Sequence, residues 1–272
     1  TTNNFIMETP IKEKELPIAE LEKLGLYKDG ALTLKDNDIA ALLAGRRTDL
    51  HSLHNLEMDG FKINQLDAKL SLMRGEDGKV ALKLHPIYKE VQPHPLLNEK
   101  ETKQLLAGKQ ETISKTVNDR GMERRLVIEY DEQTKEFVTY FPYQVEVPFK
   151  VNGETLDEKQ KKAFQNGEVI ELADGTRLRH SAADSKGVRS DNKRLIFSVL
   201  LDGGLSYLVM RGLRHLSGNG NIQNDGYTAG YNQAIADMMV GKPKRDLEMT
   251  VKDQIDFDQH SQENRTGHNV SR

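Results

Sequence analysis

Leu34-Lys35-Asp36-Asn37-Asp38-Ile39-Ala40-Ala41-Leu42-Leu43-Ala44-Gly45 decides the fold, because two later stretches repeat its frame. They are Leu97-Asn98-Glu99-Lys100-Glu101-Thr102-Lys103-Gln104-Leu105-Leu106-Ala107-Gly108 and Leu156-Asp157-Glu158-Lys159-Gln160-Lys161-Lys162-Ala163-Phe164-Gln165-Asn166-Gly167. In each a leucine (Leu34, Leu97, Leu156) stands eleven residues before a glycine (Gly45, Gly108, Gly167). A large apolar residue (Leu42, Leu105, Phe164) stands three before that glycine, and another (Leu50, Ile113, Leu172) follows five after it. The glycine suits the left-handed residue that closes a helix. Asn98 with Glu101, and Asp157 with Gln160, have capping-box spacing, whereas Lys35 takes the cap position in the first copy.

Working outward, runs of alternating apolar and polar residues follow each glycine. After Gly45 they are 53–58, 61–66, 68–73 and 80–85, punctuated by Asp59-Gly60 and Asp77-Gly78. After Gly108 they are 111–117, 124–130, 137–141 and 144–150. After Gly167 they are 169–172, 176–179, 194–201 and 205–211. The spacing predicts an α+β protein of serial small modules, each a short helix on an antiparallel hairpin or meander. The division is 1–15 a mobile lead-in, 16–95, 96–150 and 151–216 three modules, 217–242 a loop and helix, and 243–272 a disordered polar tail. Pro17 to Gly25 reads as a further short helix.

Composition bounds the function. Apolar residues make up 36% and tryptophan is absent, which suits several modest cores. Without cysteine there are no disulfides, thiolate metal sites or cysteine nucleophile. That suits a cytoplasmic location, and no apolar run approaches the ~20 residues that cross a bilayer. Net charge is −3, and only residues 151–216 carry a basic surplus, 11 Lys+Arg against 9 Asp+Glu.

That surplus holds the best candidate site. Arg177, Arg179, Lys186, Arg189, Lys193 and Arg194 lie close together, and Arg211 and Arg214 follow. The stretch 180–193 is long for a hairpin loop, and a mobile loop of guanidinium groups could grip phosphates. Arg46-Arg47 and Arg124-Arg125 could join such a surface, and Tyr140, Phe141 and Tyr143 could stack on bases. Other chemistries lack their motifs. His51 and His54 have no signalled third metal ligand, and His85-Pro86 and His94-Pro95 read as strand ends and turns. No Gly-x-Ser-x-Gly is present, and the glycines at 218 and 220 lack a phosphate-loop ending. No catalytic residue, cofactor or metal is indicated.

A resemblance adds context. Glu20-Leu21-Glu22-Lys23-Leu24-Gly25, Leu43-Ala44-Gly45-Arg46-Arg47-Thr48-Asp49-Leu50, Asp67-Ala68-Lys69-Leu70-Ser71-Leu72, Asp77-Gly78-Lys79 and His85-Pro86-Ile87 carry it. Residues 16–115 resemble a family of uncharacterised domains found in conjugative and other mobile elements of anaerobic gut bacteria. Leu97–Lys109, and Leu156–Gly167 more loosely, resemble a companion family of short domains. The resemblance implies a role near DNA transfer or maintenance, often beside DNA-processing genes, and supplies no catalytic residues. The expectation is a non-enzymatic binding or adaptor protein whose partner is DNA or a DNA-processing protein. A structural protein joining chains through exposed sheet edges, and an enzyme of scattered residues, are the alternatives.

Overall fold

The structure is a computed structural model, and it describes residues 11–58, 60–75, 77–119, 121–201, 204–216 and 223–240. The start of the lead-in, Asp59, the break at Asp202-Gly203, most of the 217–226 loop and the tail from 243 lie outside the described residues.

Helix α1 spans Ile18–Lys23, α2 Asp36–Leu43, α3 Glu99–Leu106, α4 Glu158–Gln165 and α5 Ala229–Val240. The three helices of the repeated frame are therefore equal in length. Each ends the same way. Gly45 donates to Leu42 and Arg46 to Ala41; Gly108 donates to Leu105 and Lys109 to Gln104; Gly167 donates to Phe164 and Glu168 to Ala163. This is the paired closing bond that a left-handed glycine allows, and the three glycines have φ of +69°, +62° and +69°. Gly25 closes α1 likewise, with Leu26 donating to Leu21. At the starts, Asn98 and Glu101 exchange bonds of 2.9 Å, and Asp157 and Gln160 bonds of 2.7 and 2.9 Å. Lys35 makes no side-chain cap. Leu34 and Leu156 are buried before their helices, and Leu97 is half-buried.

A two-stranded ribbon, β1 (Tyr27–Lys28) with β2 (Ala31–Leu32), precedes α2. After α2 come β3 (His51–Met58), β4 (Phe61–Arg74) and β5 (Val80–Pro86), paired in that order. After α3 come β6 (Thr112–Asp119), β7 (Met122–Asp131) and β8 (Glu136–Tyr140), again a meander. Ahead of α4, β9 (Lys150–Val151) and β10 (Glu154–Thr155) form a short hairpin. After α4 come β11 (Ile170–Glu171), β12 (Arg177–His180) and β13 (Val188–Ser190), a third meander. The hairpin of β14 (Arg194–Leu201) and β15 (Gly204–Arg211) then joins β9 to give the order β10-β9-β14-β15. So the chain is α+β: among the described residues the strands pair antiparallel, and two isolated parallel bridges join Arg189 to Arg214 and Asn192 to Asn224.

The differences from the expected elements have local causes. The two expected strands 61–66 and 68–73 are one strand, β4, because Asp67 is solvent-tolerant and breaks no ladder bond. The expected strand 144–150 is mostly absent. Pro142 starts a 3-10 turn to Gln144, and only Lys150 rejoins a sheet. Within the polar lead-in, Glu13–Glu15 form a 3-10 turn, and Glu15 meets Arg74 at 2.9 Å.

Two main cores result. One belongs to the first unit: Leu21, Leu42, Leu53, Leu56, Ala68 and Leu70. The other is shared by the second and third units, with Val127, Val138 and Tyr140 from the second and Val151, Leu156, Phe164, Leu178 and Leu195 from the third. Helix α5 covers the outer face of β14, where Ile196 meets Tyr231 and Ala234. Among the described residues no helix is long and apolar enough to cross a membrane.

Candidate nucleic-acid interface

The basic residues of 177–214 divide into an internal set and a surface set. Arg179 is 1% exposed. Its Nε lies 2.9 Å from Glu111, its Nη1 2.8 Å from Glu129, and Nη1 also donates to the His180 carbonyl at 2.6 Å. Arg189 is 2% exposed, with Nε 2.5 Å from Asp184. Arg214 reaches the other Asp184 oxygen at 3.0 Å, Gln133 at 3.0 Å, and Glu132. Burial alone would raise the Asp184 carboxyl, but the charges of Arg189, Arg214 and Lys69 outweigh it and hold the group well below the carboxylate range.

The stretch 180–193 departs from the expected exposed, mobile loop. It is largely buried, and β13 runs through it. Its backbone is wanted by both earlier units. Arg47 N donates to Ala182 O at 2.9 Å, Lys69 Nζ to Ala183 O at 2.7 Å, and Arg46 Nη2 to Ser185 O at 3.1 Å. Ala183 N donates to Glu129 at 2.7 Å, and Ser185 Oγ to Asp49 at 2.7 Å. Lys69 and Arg47 both meet Asp131, at 3.0 and 3.1 Å. Polar side chains buried in this way must find partners, and here the partners come from different units. A polar residue on an alternating strand, such as Lys69 on β4, carries no sign in the sequence that its outward face will be covered.

The surface set is spread over β12, the loop before β13, and the paired ends of β14 and β15. Arg177 is exposed, and Lys186 donates to the Gly212 carbonyl at 3.1 Å. Lys193 lies 3.2 Å from Asp225 and stays 42% exposed. Arg194 stands directly across the ladder from Arg211. Its guanidinium lies 4.3 Å over the Tyr227 ring and donates to the Asp225 carbonyl at 3.1 Å. Tyr227 is 50% exposed and sits edge-on to Tyr231 at 5.9 Å. Two like charges opposed across a ladder repel, and the tyrosine face and a carbonyl hold one of them in place. The result is a half-exposed aromatic ring with one guanidinium over its face. The sequence reading named the arginines and missed Tyr227, which stands far along the chain.

The other candidates are scattered. Arg46 and Arg47 point inward, to Ser185 and Asp131. Arg124 lies 4.5 Å over Tyr143 and 3.0 Å from Asp119, and Arg125 reaches Ser114 at 2.9 Å. Phe141 stacks on Tyr143 at 5.4 Å, while Tyr140 is in the core. His51 pairs with Asp38 at 3.2 Å, and among the described residues no group of three ligating side chains comes together. His85 stands near the end of β5, as expected, and is buried, bonded to Ser71 and Glu136. A cleft of about 310 Å³ lies beside the internal set, between the end of α3 and the Arg214-His215 segment.

Residues 11–95 match a family described as "Protein of unknown function (DUF4099)". No curated protein and no solved structure matches the chain.

Proposed function

We propose that this is a binding or adaptor protein of a mobile genetic element, contacting DNA or a DNA-processing partner. The observation that carries the reading is the Arg194 guanidinium stacked on half-exposed Tyr227, with Arg211 opposite and Lys193 adjacent. Cations bind phosphates and an exposed ring accepts a stacked base, which together suit a single strand. Arg179 and Arg189, sealed against Glu111, Glu129 and Asp184, are not part of this contact. The mobile-element context rests on the resemblance of residues 16–115.

Anisotropy of labelled single- and double-stranded DNA across a salt series tests it. The Arg194→Ala, Arg211→Ala double variant should weaken binding, and should flatten the log–log salt slope by about 1.4 on single strands. No binding at low salt, or an unchanged slope in the double variant, overturns the reading.

A second reading has its own observation. β15 is the edge of its sheet and shows Leu205 and Leu208 at 39% and 51% exposure. An edge whose one charge, Arg211, stands at its end can pair with another strand along the rest of its length. Light scattering across concentration separates the two: assembly that Leu208→Lys abolishes, without DNA affinity, favours this reading.

A further inference from the structure

We propose that Ser71 is a nucleophile, activated by His85 and oriented by Glu136, that accepts the acyl group of an uncharged carboxylic ester. This goes beyond the binding role and does not depend on it.

The three side chains form a continuous chain across two sheets. Ser71 Oγ lies 2.7 Å from His85 Nε2, and His85 Nδ1 lies 3.2 Å from Glu136 Oε2. Glu136 is also 3.0 Å from Arg47 Nη1. Burial would raise the Glu136 carboxyl, but its bond to His85 and the Arg47 charge outweigh that and keep it ionised. An ionised Glu136 accepts the Nδ1 proton, which leaves the Nε2 lone pair free to accept the Ser71 hydroxyl proton. That is the nucleophile–base–orienter order that acyl transfer needs, recognised by geometry and not by position in the chain.

The strand pattern builds the rest of the site. Leu70 and Leu72 of β4 turn to the core, so Ser71 and Met73 share the other face. Across the ladder, Lys83 stands opposite Ser71 and Ala81 opposite Met73. Met73 is 56% exposed, and Lys83 and Ala81 are exposed as well. Directly opposed side chains start only about 5 Å apart, so the Lys83 ammonium reaches an oxyanion forming on Ser71. Met73 and Ala81 offer an apolar shelf to the acyl chain.

In the first step Ser71 Oγ bonds to the ester carbonyl carbon while its proton passes to His85 Nε2, and the carbonyl pair moves onto oxygen beside Lys83. Collapse breaks the bond to the alcohol oxygen, which takes the proton from His85. Water then attacks the acyl-serine, giving its proton to His85. The carbon–Oγ bond breaks, and Ser71 recovers the proton as the acid departs.

Four groups face the imidazole. They are Glu136 from β8, Arg47 from the segment after α2, Lys83 from its own strand, and Lys69 opposite it on β4. Burial pushes His85 below its ordinary value, and the bond to Glu136 opposes that. The base form is therefore present through neutral pH.

The test is phosphonylation of the full chain by a fluorophosphonate probe, in which the Oγ–phosphorus bond replaces phosphorus–fluoride and the proton goes to His85. Peptide mass spectrometry should place one adduct on Ser71, with a rate that rises to a plateau through a midpoint below about 6.5. Ser71→Ala should retain the fold by circular dichroism and give no adduct. His85→Gln should slow labelling by about 100-fold or more. Glu136→Gln should move the pH midpoint lower, a readout that a structural role would not shift. Hydrolysis of p-nitrophenyl butyrate should follow the same order. No adduct at Ser71 of the unaltered protein, an adduct elsewhere instead, or a rate that climbs with hydroxide to pH 10 without a plateau, overturns the proposal.

Discussion

The Lys69 ammonium and the Asp131 carboxylate meet at 3.0 Å between the first and second sheets, and both are sealed from solvent. Burial pushes the Lys69 ammonium below its ordinary value, with the Asp131 charge opposing. A charge taken out of water at such a cost is tolerable only while its partner is present. Removing one partner therefore costs more than the pair contributes.

Lys69→Met should destabilise the protein by about 3 kcal/mol or more, since Asp131 then keeps one cation, Arg47, and the Gln133 N–H. Combining it with Asp131→Leu should recover part of that loss. Urea unfolding measures both, as midpoint shifts at constant slope. A loss under about 1 kcal/mol for Lys69→Met would show that water reaches the junction and screens the pair.

Two repeat glycines should respond differently to alanine. At Gly45 an added Cβ meets nothing within 4 Å, so only the left-handed backbone is penalised, at about 1 kcal/mol. At Gly167 the same Cβ would stand 2.3 Å from the Tyr140 hydroxyl, which is buried. Gly167→Ala should therefore cost about 2–4 kcal/mol, backbone strain plus overpacking. Thermal unfolding of both variants checks the order. Equal losses would mean that Tyr140 swings aside freely.

Stability should fall on mild acidification. His180 lies in the core between Tyr140 at 4.9 Å and Phe164 at 5.7 Å, and burial pushes its imidazole down to about 3. Between that value and the ordinary ~6.5, the unfolded chain holds a proton that the folded chain refuses. The His180 contribution is thus complete above pH 6.5 and drains by about 1.4 kcal/mol per pH unit below it. The depressed carboxyl of Asp184 adds a second loss, from about pH 4 downward. Urea midpoints at pH 7, 6 and 5 measure the first effect, and His180→Phe should flatten it. Parallel pH profiles for the two proteins would assign the sensitivity to other groups.

The helices were legible because their ends are local. Gly45, Gly108 and Gly167 each close a helix by bonds within the same turn, and Asn98 and Asp157 cap by bonds to the third residue on. The meanders were half legible. Alternation showed the strands of β4 and β5, but Asp67 looked like a break, and the three buried residues of β13 looked like loop. What could not be read was partnership across units. Arg179 and Arg177 stand two apart in a basic run, yet one is sealed against Glu111 and Glu129 and the other is in water. Ser71, His85 and Glu136 sit on three strands of two sheets, and no spacing between them announces a contact. Nor does the chain reveal that Tyr227 will lie over Arg194.

The loop at 181–187 bears on what can be cut away. Among the described residues, the buried cations Lys69 and Arg47 of the first unit pair with carboxylates beyond residue 95, Asp131 and Glu136. A fragment ending there would carry two orphaned charges on an uncovered sheet. The segment that matches a family of its own is, in this chain, a tenant of its neighbours, and should be expressed together with them.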